Sequence, residues 1–341
     1  MPLTRHTTAA LVLIALALTC ASAAAQDEPE YVPTTTGETD VAAKQGWDAT
    51  LSIGANANVS SNDSVIGQPD GSSWTLGFNV KGGLQYINGG HESRNFLNAT
   101  ETFTRTPVVP EFVRTSDLLE LESIYYYHFA RVQWLGPFAR LKLSTSLFKG
   151  EDVQPDARDY LVTNIDGSQT IINATRFQLT DPFFPFSLRE SLGMFARPLD
   201  RSWLKIEFRA GLGAREVFAD SQFAVKDNAD TPVLEIVELE SFTQAGAEVV
   251  AEATGQLAGD RVTYGAGAEV LTPFYDSVSD SDQSATDLTN IDLYAKLSFK
   301  LVSWASIDYQ YKATKQPALL DKFQVQHNLL LTIGYTLLEE D

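Results

Sequence analysis

The 341-residue chain has a single cysteine, Cys20, which lies in an N-terminal segment with the features of an export signal. Once that segment is removed, no disulfide bond can form, so packing and hydrogen bonding must hold the fold. No later segment has about twenty consecutive apolar residues, which excludes a transmembrane helix. Basic residues are also scarce, with 25 Lys and Arg against 44 Asp and Glu. This balance excludes nucleic-acid binding through bulk charge, and we predict no nucleic-acid partner.

The common motifs of enzyme and metal sites are also missing. The sequence has no H-E-x-x-H, no cysteine pair and no phosphate-binding glycine loop, so we predict no catalytic residue, no metal and no cofactor. Beyond the N-terminal segment the histidines are His91, His128 and His327. A serine esterase needs a histidine within hydrogen-bond reach of its nucleophile. Ser123 is five residues from His128, which on one strand puts the two on opposite faces and roughly 16 Å apart. A lipid hydrolase built across adjacent strands is the remaining catalytic alternative.

Residues 1–25 are typical of a secretory signal peptide. A basic start precedes a short apolar run, and Ala23 and Ala25 form an A-x-A cleavage pattern, so we predict cleavage before Gln26. The apolar run is too short to span a bilayer as a helix. Cys20 raises lipoprotein processing as an alternative, but the residue before it is not the small one expected there.

The rest of the chain divides into a polar lead-in and a long region of alternation. Residues 26–46 contain two prolines and show no periodicity, so we predict a disordered periplasmic segment. From residue 47 to 338, apolar and polar residues alternate in twelve segments, as expected for strands with one apolar and one polar face. The predicted strands are about 48–58, 73–86, 92–104, 114–131, 137–149, 186–197, 202–215, 237–255, 260–273, 289–301, 304–313 and 323–337.

The segment from Asn290 to Leu301 shows the alternation most clearly. One face presents Ile, Leu, Ala, Leu, Phe and Leu, and the other presents Asn, Asp, Tyr, Lys, Ser and Lys. Soluble antiparallel sheets alternate too. The length of the pattern and its recurrence along the chain favour strands with lipid outside and water inside.

The connections between the predicted strands alternate between long and short. The long ones are about 59–72, 105–113, 150–185, 216–236, 274–288 and 314–322, and the short ones are 87–91, 133–136, 198–201, 256–259 and 302–303. Transmembrane barrels have short periplasmic turns and longer extracellular loops. Lipid tolerates no open sheet edge, so the strands must close on themselves. We therefore predict an all-β, closed, antiparallel up-and-down barrel of about twelve strands in a Gram-negative outer membrane, with both termini in the periplasm.

Aromatic residues gather near the predicted strand ends, where membrane barrels carry girdles at the headgroup level. They are Tyr125, Tyr127, Phe129, Trp134, Phe138, Trp203, Trp304, Tyr309, Tyr311 and Tyr335. We expect the lipid bilayer and lipopolysaccharide as partners, and the sequence identifies no soluble partner. The last strand, Leu329 to Leu337, resembles the signal read by the outer-membrane assembly machinery. It departs from that signal because the chain ends on Leu338-Glu339-Glu340-Asp341 instead of an aromatic residue.

Three stretches carry a resemblance to a known type of protein: Gly46-Trp47, the segment from Arg114 to Glu122, and Tyr125-Tyr126-Tyr127. Together they resemble bacterial outer-membrane barrels catalogued only as domains of unknown function. The resemblance covers most of the mature chain and rests on patterns of alternation. It implies a barrel and an outer-membrane address, and it brings no catalytic residues.

Two predicted loops have distinctive compositions. The longest, 150–185, contains Asp181-Pro182-Phe183-Phe184-Pro185-Phe186, which predicts either a membrane-surface anchor or a plug folded into the mouth. The loop from Asp276 to Asp282 is acidic enough to attract a divalent cation. It lacks the spacing and the terminal Glu of a calcium loop, so a solvated outer loop is the alternative.

The polar faces of the central strands carry charges of both signs. The predicted lumenal set comprises seven basic and five acidic side chains: Arg140, Lys142, Arg189, Arg197, Lys205, Arg209, Arg215, Glu120, Glu122, Glu248, Glu252 and Glu269. A basic wall flanked by acidic walls would set a transverse field, as in selective pores. The same groups could instead pair across a narrow lumen and close it. Two functions follow: a passive or weakly selective pore for small polar solutes, or a non-conducting structural or interaction barrel with functional extracellular loops.

Overall fold

The computed structural model describes residues 45–62, 71–226, 231–259, 261–277, 284–317 and 320–339. The predicted signal peptide and nearly all of the predicted N-terminal lead-in lie outside these ranges. Side chains of most of the final strand also lie outside the description. Within the described residues, no helix has the length and apolar character needed to cross a membrane.

Sixteen strands form within the described ranges. They are β1 Gly46–Asn62, β2 Gly71–Asn88, β3 His91–Arg105, β4 Val113–Tyr127, β5 Leu135–Thr145, β6 Gly150–Thr163, β7 Gln169–Thr180, β8 Phe186–Arg201, β9 Leu204–Phe218, β10 Phe223–Val225, β11 Leu234–Glu238, β12 Phe242–Leu257, β13 Val262–Asp276, β14 Asn290–Val302, β15 Ala305–Gln316 and β16 Leu320–Glu339. Twelve of them close into one barrel in the order β1-β2-β3-β4-β5-β8-β9-β12-β13-β14-β15-β16. Every barrel pair is antiparallel, and β16 pairs with β1 to close the ring. The predicted twelve-stranded closed barrel is therefore confirmed.

The barrel has two different ends. We call one the loop end, where the chain connects through residues 63–70, 106–112, 146–185, 219–241, 277–289 and 317–319. The other is the turn end, with connections at 89–90, 128–134, 202–203, 258–261 and 303–304. The alternation of lengths is less strict than predicted. Because β4 ends at Tyr127, the turn 128–134 is as long as the loop 106–112, and the extension of β15 and β16 leaves a short connection at the loop end.

The outer face of the barrel is apolar between two aromatic girdles. At the turn end, Trp47, Trp134, Trp203 and Trp304 are each at least half exposed. At the loop end, exposed aromatic rings lie within three residues of the strand ends: Trp74, Phe218, Phe274 and Phe323. Lipid-facing bands flanked by such rings are typical of membrane-spanning barrels.

Two details of the girdle prediction change. Phe138 points inward instead, 5% exposed, and packs with Ile124, Tyr126 and Phe195. The prediction failed there because Phe138 has the same strand parity as the lumenal charges, and proximity to a strand end does not decide the face. The side chain of Tyr335 lies outside the description.

The aromatic segment before β8 lies at the loop end of the barrel. Phe183 and Phe184 are 55% and 38% exposed. Phe186, at the start of β8, stands opposite Phe218 of β9, with ring centroids 6.0 Å apart. Exposed rings are typical of a membrane-surface anchor, whereas a plug packed into the mouth would bury them.

The two longest connections are more ordered than the sequence predicts. Strands β6, β7, β10 and β11 form a separate four-stranded sheet in the order β10-β11-β6-β7, which we call the loop-end sheet. Its β11 runs parallel to β6, so the sheet joins two loops that are distant in sequence. Tyr160 and Ile236 are fully buried in its core, and Phe177 packs edge-on to Phe223 with centroids 5.5 Å apart. The loop-end sheet is thus a small packed unit attached to the barrel rim.

Candidate functional site: the barrel lumen

The inward faces of ten of the twelve barrel strands form two unlike walls of the lumen. We call the inward faces of β3 to β5, β8, β9 and β12 to β14 the charged wall. We call the inward faces of β1 and β2 the polar wall. The strands position both walls in the same way, because alternate residues of each strand point inward.

Ion pairs at the turn end of the charged wall connect strands that are not neighbours. Arg197 on β8 places Nη1 3.3 Å from Oε2 of Glu92 on β3, with β4 and β5 between them in the barrel. The same guanidinium places Nη2 2.9 Å from Oε2 of Glu207 on β9. The hydroxyl of Tyr126 donates to the other oxygen of Glu207 at 2.6 Å. One arginine therefore ties the β3 side of the lumen to the β9 side.

Arg209 extends this cluster toward the middle of the barrel. Its side chain is 1% exposed, with Nη2 3.0 Å from Oε2 of Glu252 and Nε 3.6 Å from Oε1 of Glu207. Nη1 also donates to the Tyr126 hydroxyl at 3.4 Å. An ion buried to this degree is tolerable only because its partners surround it.

His128, in the turn after β4, is also part of this cluster of ion pairs at the turn end. Its Nε2 is 2.7 Å from Oε2 of Glu92, and its Nδ1 is 2.6 Å from the backbone oxygen of Gln133. Both neighbours accept hydrogen bonds, so both ring nitrogens must donate, which requires the imidazolium form. The hydrogen bond to Glu92 raises the pKa of His128, and the Gln133 carbonyl adds to the effect while burial opposes it.

His128 and Ser123 do not form a catalytic pair. The Ser123 hydroxyl donates to Asn95 at 2.8 Å, whereas both ring nitrogens of His128 are occupied by other partners. A general base must reach the proton of its nucleophile. Among the described residues, no group of three or more His, Cys, Asp or Glu side chains is arranged to hold a metal ion. Part of the acidic stretch from Asp276 to Asp282 lies outside the description.

A second cluster crosses the middle of the barrel. Arg140 on β5 places Nε 2.6 Å from Oε1 of Glu122 and Nη1 3.0 Å from Oε2 of Glu269 on β13. Three strands separate β5 from β13 in the barrel order, so this contact spans the lumen. Arg189 on β8 continues the cluster, with Nη1 3.1 Å from both Glu269 and Asp292. The lumen beside the charged wall is filled by these side chains.

The charged wall interleaves charges of opposite sign. The two clusters and their neighbours comprise eight cationic and eight anionic side chains, counting His128 as protonated: Arg94, His128, Arg140, Lys142, Arg189, Arg197, Arg209, Arg215, Glu92, Glu120, Glu122, Glu207, Glu248, Glu252, Glu269 and Asp292. Further inward charges on the same strands are Lys205, Asp276, Lys296 and Lys300. Interleaved opposite charges at these distances cancel each other's field beyond the contact. The wall therefore lacks the separated basic and acidic faces that a transverse field requires.

All twelve residues predicted from the sequence lie at inward positions of their strands. Lys142 pairs with Glu120 at 3.0 Å, and most of the others belong to the two clusters. Lys205 stands apart, half-buried at the turn end of β9. The predicted set lacked Glu92, Glu207 and Asp292, which also face the lumen. Strand parity could have found them, because Glu207 lies between Lys205 and Arg209 on the same face.

The polar wall has a different construction, in which glycines face amide or hydroxyl side chains across the β1–β2 pair. Asn56 stands opposite Gly77, Gly54 opposite Asn79, and Thr50 opposite Gly83. A Cβ added to Gly77 would lie 2.5 Å from Oδ1 of Asn56, so the amide lies flat over the glycine. Because these side chains lie along the wall and do not cross the lumen, they extend only a short distance into it.

Solvent reaches the two walls unequally. Every inward position of β1 from Asp48 to Asn58 is partly or fully accessible. On β4, by contrast, the inward side chains from Glu120 to Tyr126 are at most 5% exposed. Water therefore has access along the inward face of β1 and is excluded from the inward face of β4 between Glu120 and Tyr126.

Comparisons with known proteins support no transfer of function. No family model and no curated protein matches the chain. The structure is similar to the translocator domain of autotransporter NalP from Neisseria meningitidis, with 10% identity and a TM-score of 0.36, covering 86% of this chain and 89% of that one. It is also similar to an outer membrane channel from Pseudomonas putida F1, with 7% identity and a TM-score of 0.39, covering 89% and 99%. These neighbours are bacterial outer-membrane barrels, but similarity at such scores does not assign their functions to this chain. The resemblance to barrels of unknown function stays a prediction.

Proposed function

We propose that this protein is a passive pore of a Gram-negative outer membrane, with a narrow, off-centre passage along the polar wall. The observation that supports it is the unbroken solvent access to the inward face of β1 from Asp48 to Asn58. A barrel of this type places short turns in the periplasm and longer loops outside. The turn end would then face the periplasm, and the bilayer and lipopolysaccharide would surround the apolar outer face.

The charged wall serves this pore as a fixed partition. The contacts of Arg140 and Arg197, which span several strands, support a lumen that is filled on this side. A barrel of twelve strands lies between small filled barrels and large open porins. Filling one side while flattening the other leaves a passage far narrower than the barrel itself.

A bulky side chain at the centre of the polar wall tests the pore. In proteoliposomes, the wild-type protein is expected to admit glucose faster than protein-free vesicles do, and Ser52→Trp is expected to reduce that rate to the background. Ala55→Trp is the matched control, because Ala55 lies on the same strand and faces lipid. Equal uptake by Ser52→Trp and the wild-type protein would place the passage elsewhere. No uptake by a folded wild-type barrel would reject the pore.

A second candidate is a non-conducting barrel that presents the loop-end sheet to the exterior. The packed core of that sheet, with Tyr160 and Ile236 fully buried, favours it. An ordered unit built from two loops is more than a pore requires, because loops carry function when a rigid scaffold positions them. A folded wild-type barrel with background glucose uptake in the experiment above would favour this candidate.

A further inference from the structure

We propose that the passage along the polar wall admits small neutral solutes rich in hydroxyl groups, such as sugars, and discriminates against ions of similar size. This inference rests on the proposed pore and names its solute class. Three features of the described residues support it: the chemistry of the polar wall, the mutual pairing of the buried charges on the charged wall, and the space left by the glycines.

The polar wall offers donors and acceptors in equal measure. Thr50, Ser52, Asn56 and Asn79 present hydroxyl and amide groups, each of which both donates and accepts hydrogen bonds. Sugar hydroxyls have the same dual character. A neutral solute can therefore exchange its hydrogen bonds with water for hydrogen bonds with the wall at each step of its passage.

Ions gain much less from this wall. Asp48 lies at the turn end of the polar wall. From there to the loop end, the charged side chain at the described inward positions of β1 and β2 is Lys81, which has an interaction of its own within the protein. The Arg140 and Arg209 clusters of the charged wall are buried, and their charges are already paired with one another. An ion that sheds water in a narrow passage needs a compensating charge, because desolvation without one is costly.

The glycines supply the width that a hydroxylated solute needs. Asn56 lies over Gly77, and Thr50 Oγ1 is 2.7 Å from where a Cβ on Gly83 would be. Any larger residue at these glycines would push the amide or hydroxyl into the lumen. The flat wall therefore provides hydrogen-bonding groups without narrowing the passage.

Three solutes of nearly the same size and different charge test the solute class. Proteoliposomes containing the full barrel are assayed at pH 6, where gluconate and glucosamine are both almost fully charged, for uptake of glucose, gluconate and glucosamine. We expect glucose to enter about tenfold faster than either charged sugar. Equal or faster entry of gluconate or glucosamine, with Ser52→Trp still blocking all three, would overturn the solute class and leave the pore intact. No entry of glucose into vesicles with folded wild-type protein would reject the pore and this inference together.

An isosteric change of charge sharpens the test. Asn79→Asp places a fixed anion on the polar wall and is expected to raise the glucosamine-to-gluconate ratio by about tenfold. Gln169→Glu makes the same chemical change on exposed β7 of the loop-end sheet and serves as the control. An unchanged ratio in Asn79→Asp, with the barrel folded and glucose uptake retained, would show that solutes do not contact this wall and would overturn the inference.

Discussion

The charged wall and the polar wall meet the same demand in opposite ways. Each must satisfy polar groups inside a membrane-spanning barrel, where hydrogen-bonding partners are few. The charged wall uses long side chains that reach across the lumen, as Arg140 reaches Glu269. The polar wall uses short side chains that lie over the facing strand, as Asn56 lies over Gly77. Long side chains fill space and short ones leave it, so the choice of side-chain length sets where the lumen is open.

The two walls also differ in how they fail. A buried ion pair contributes little net stability, because desolvation offsets most of its attraction. Removing one partner is nevertheless costly, since the remaining charge stays buried without compensation. The polar wall has no such dependence on a single group. Mutations should therefore cost stability on one side of the lumen and transport on the other.

The largest expected effect is on the charged wall. Arg209→Ala removes the cation 3.0 Å from Glu252 and one of the two cations beside Glu207, in a region where the Arg209 side chain is 1% exposed. We expect a loss of about 3–5 kcal/mol in the free energy of unfolding, measured by urea titration in detergent micelles. Lys205→Ala is the control, because Lys205 lies on the same face of β9 at the half-buried turn end. A loss for Lys205→Ala as large as that for Arg209→Ala would contradict the dependence of the charged wall on its buried ion pairs.

A smaller effect is expected from filling the polar wall. In Gly77→Ala the new methyl group meets the Asn56 amide, which must rotate away from the wall. We expect a loss of about 1–2 kcal/mol in the free energy of unfolding and a lower rate of glucose uptake. Gly89→Ala, in a turn, is the comparison variant. A Cβ added there has no atom within 4 Å, although the backbone φ of 59° is unfavourable for alanine. Normal glucose uptake by Gly77→Ala would mean that the flat profile does not limit the passage.

The smallest expected effect is a pH dependence at the turn-end mouth. Because the folded pKa of His128 is raised by Glu92, its stabilisation is fully present below the unfolded pKa of about 6.5. That stabilisation is lost as the pH rises through the raised folded value. We expect the free energy of unfolding to fall by about 1 kcal/mol or less over this pH range, and we expect His128→Gln to remove this pH dependence. The measurement is the urea midpoint as a function of pH, and an identical slope in His128→Gln would assign the dependence to other groups.

The sequence predicted the barrel strands well because their information is local. Alternation with a period of two assigns each residue to a face, and the face of Asn290 to Leu301 follows directly from it. The inward positions of Arg140 and Glu269 follow in the same way. Their contact does not, because it depends on strand register and on the curvature of the closed barrel. Phe138 was assigned to the wrong face because its aromatic character suggested a girdle residue. Its position in the alternation of β5 instead places it inside the barrel.

The loop-end sheet was beyond prediction for a different reason. Its β6 and β11 belong to separate loops, and they pair in parallel through residues such as Leu161 and Glu235. Each strand is short or irregular by itself, as the register shift between Val153 and Arg158 shows. Only the neighbouring barrel strands bring the two loops together. Their pairing is therefore a consequence of barrel closure.

The sequence by itself determined the strands, their two faces, the closed architecture and the chemical groups inside. Strand periodicity and the cost of open edges in lipid are sufficient for these, because both act within or between adjacent strands. Only the tertiary structure decided which charges pair across the lumen, which wall stays accessible to water, and that two loops form a sheet. Those outcomes depend on distances between residues far apart in sequence, and such distances are fixed only when β16 meets β1 and the barrel closes.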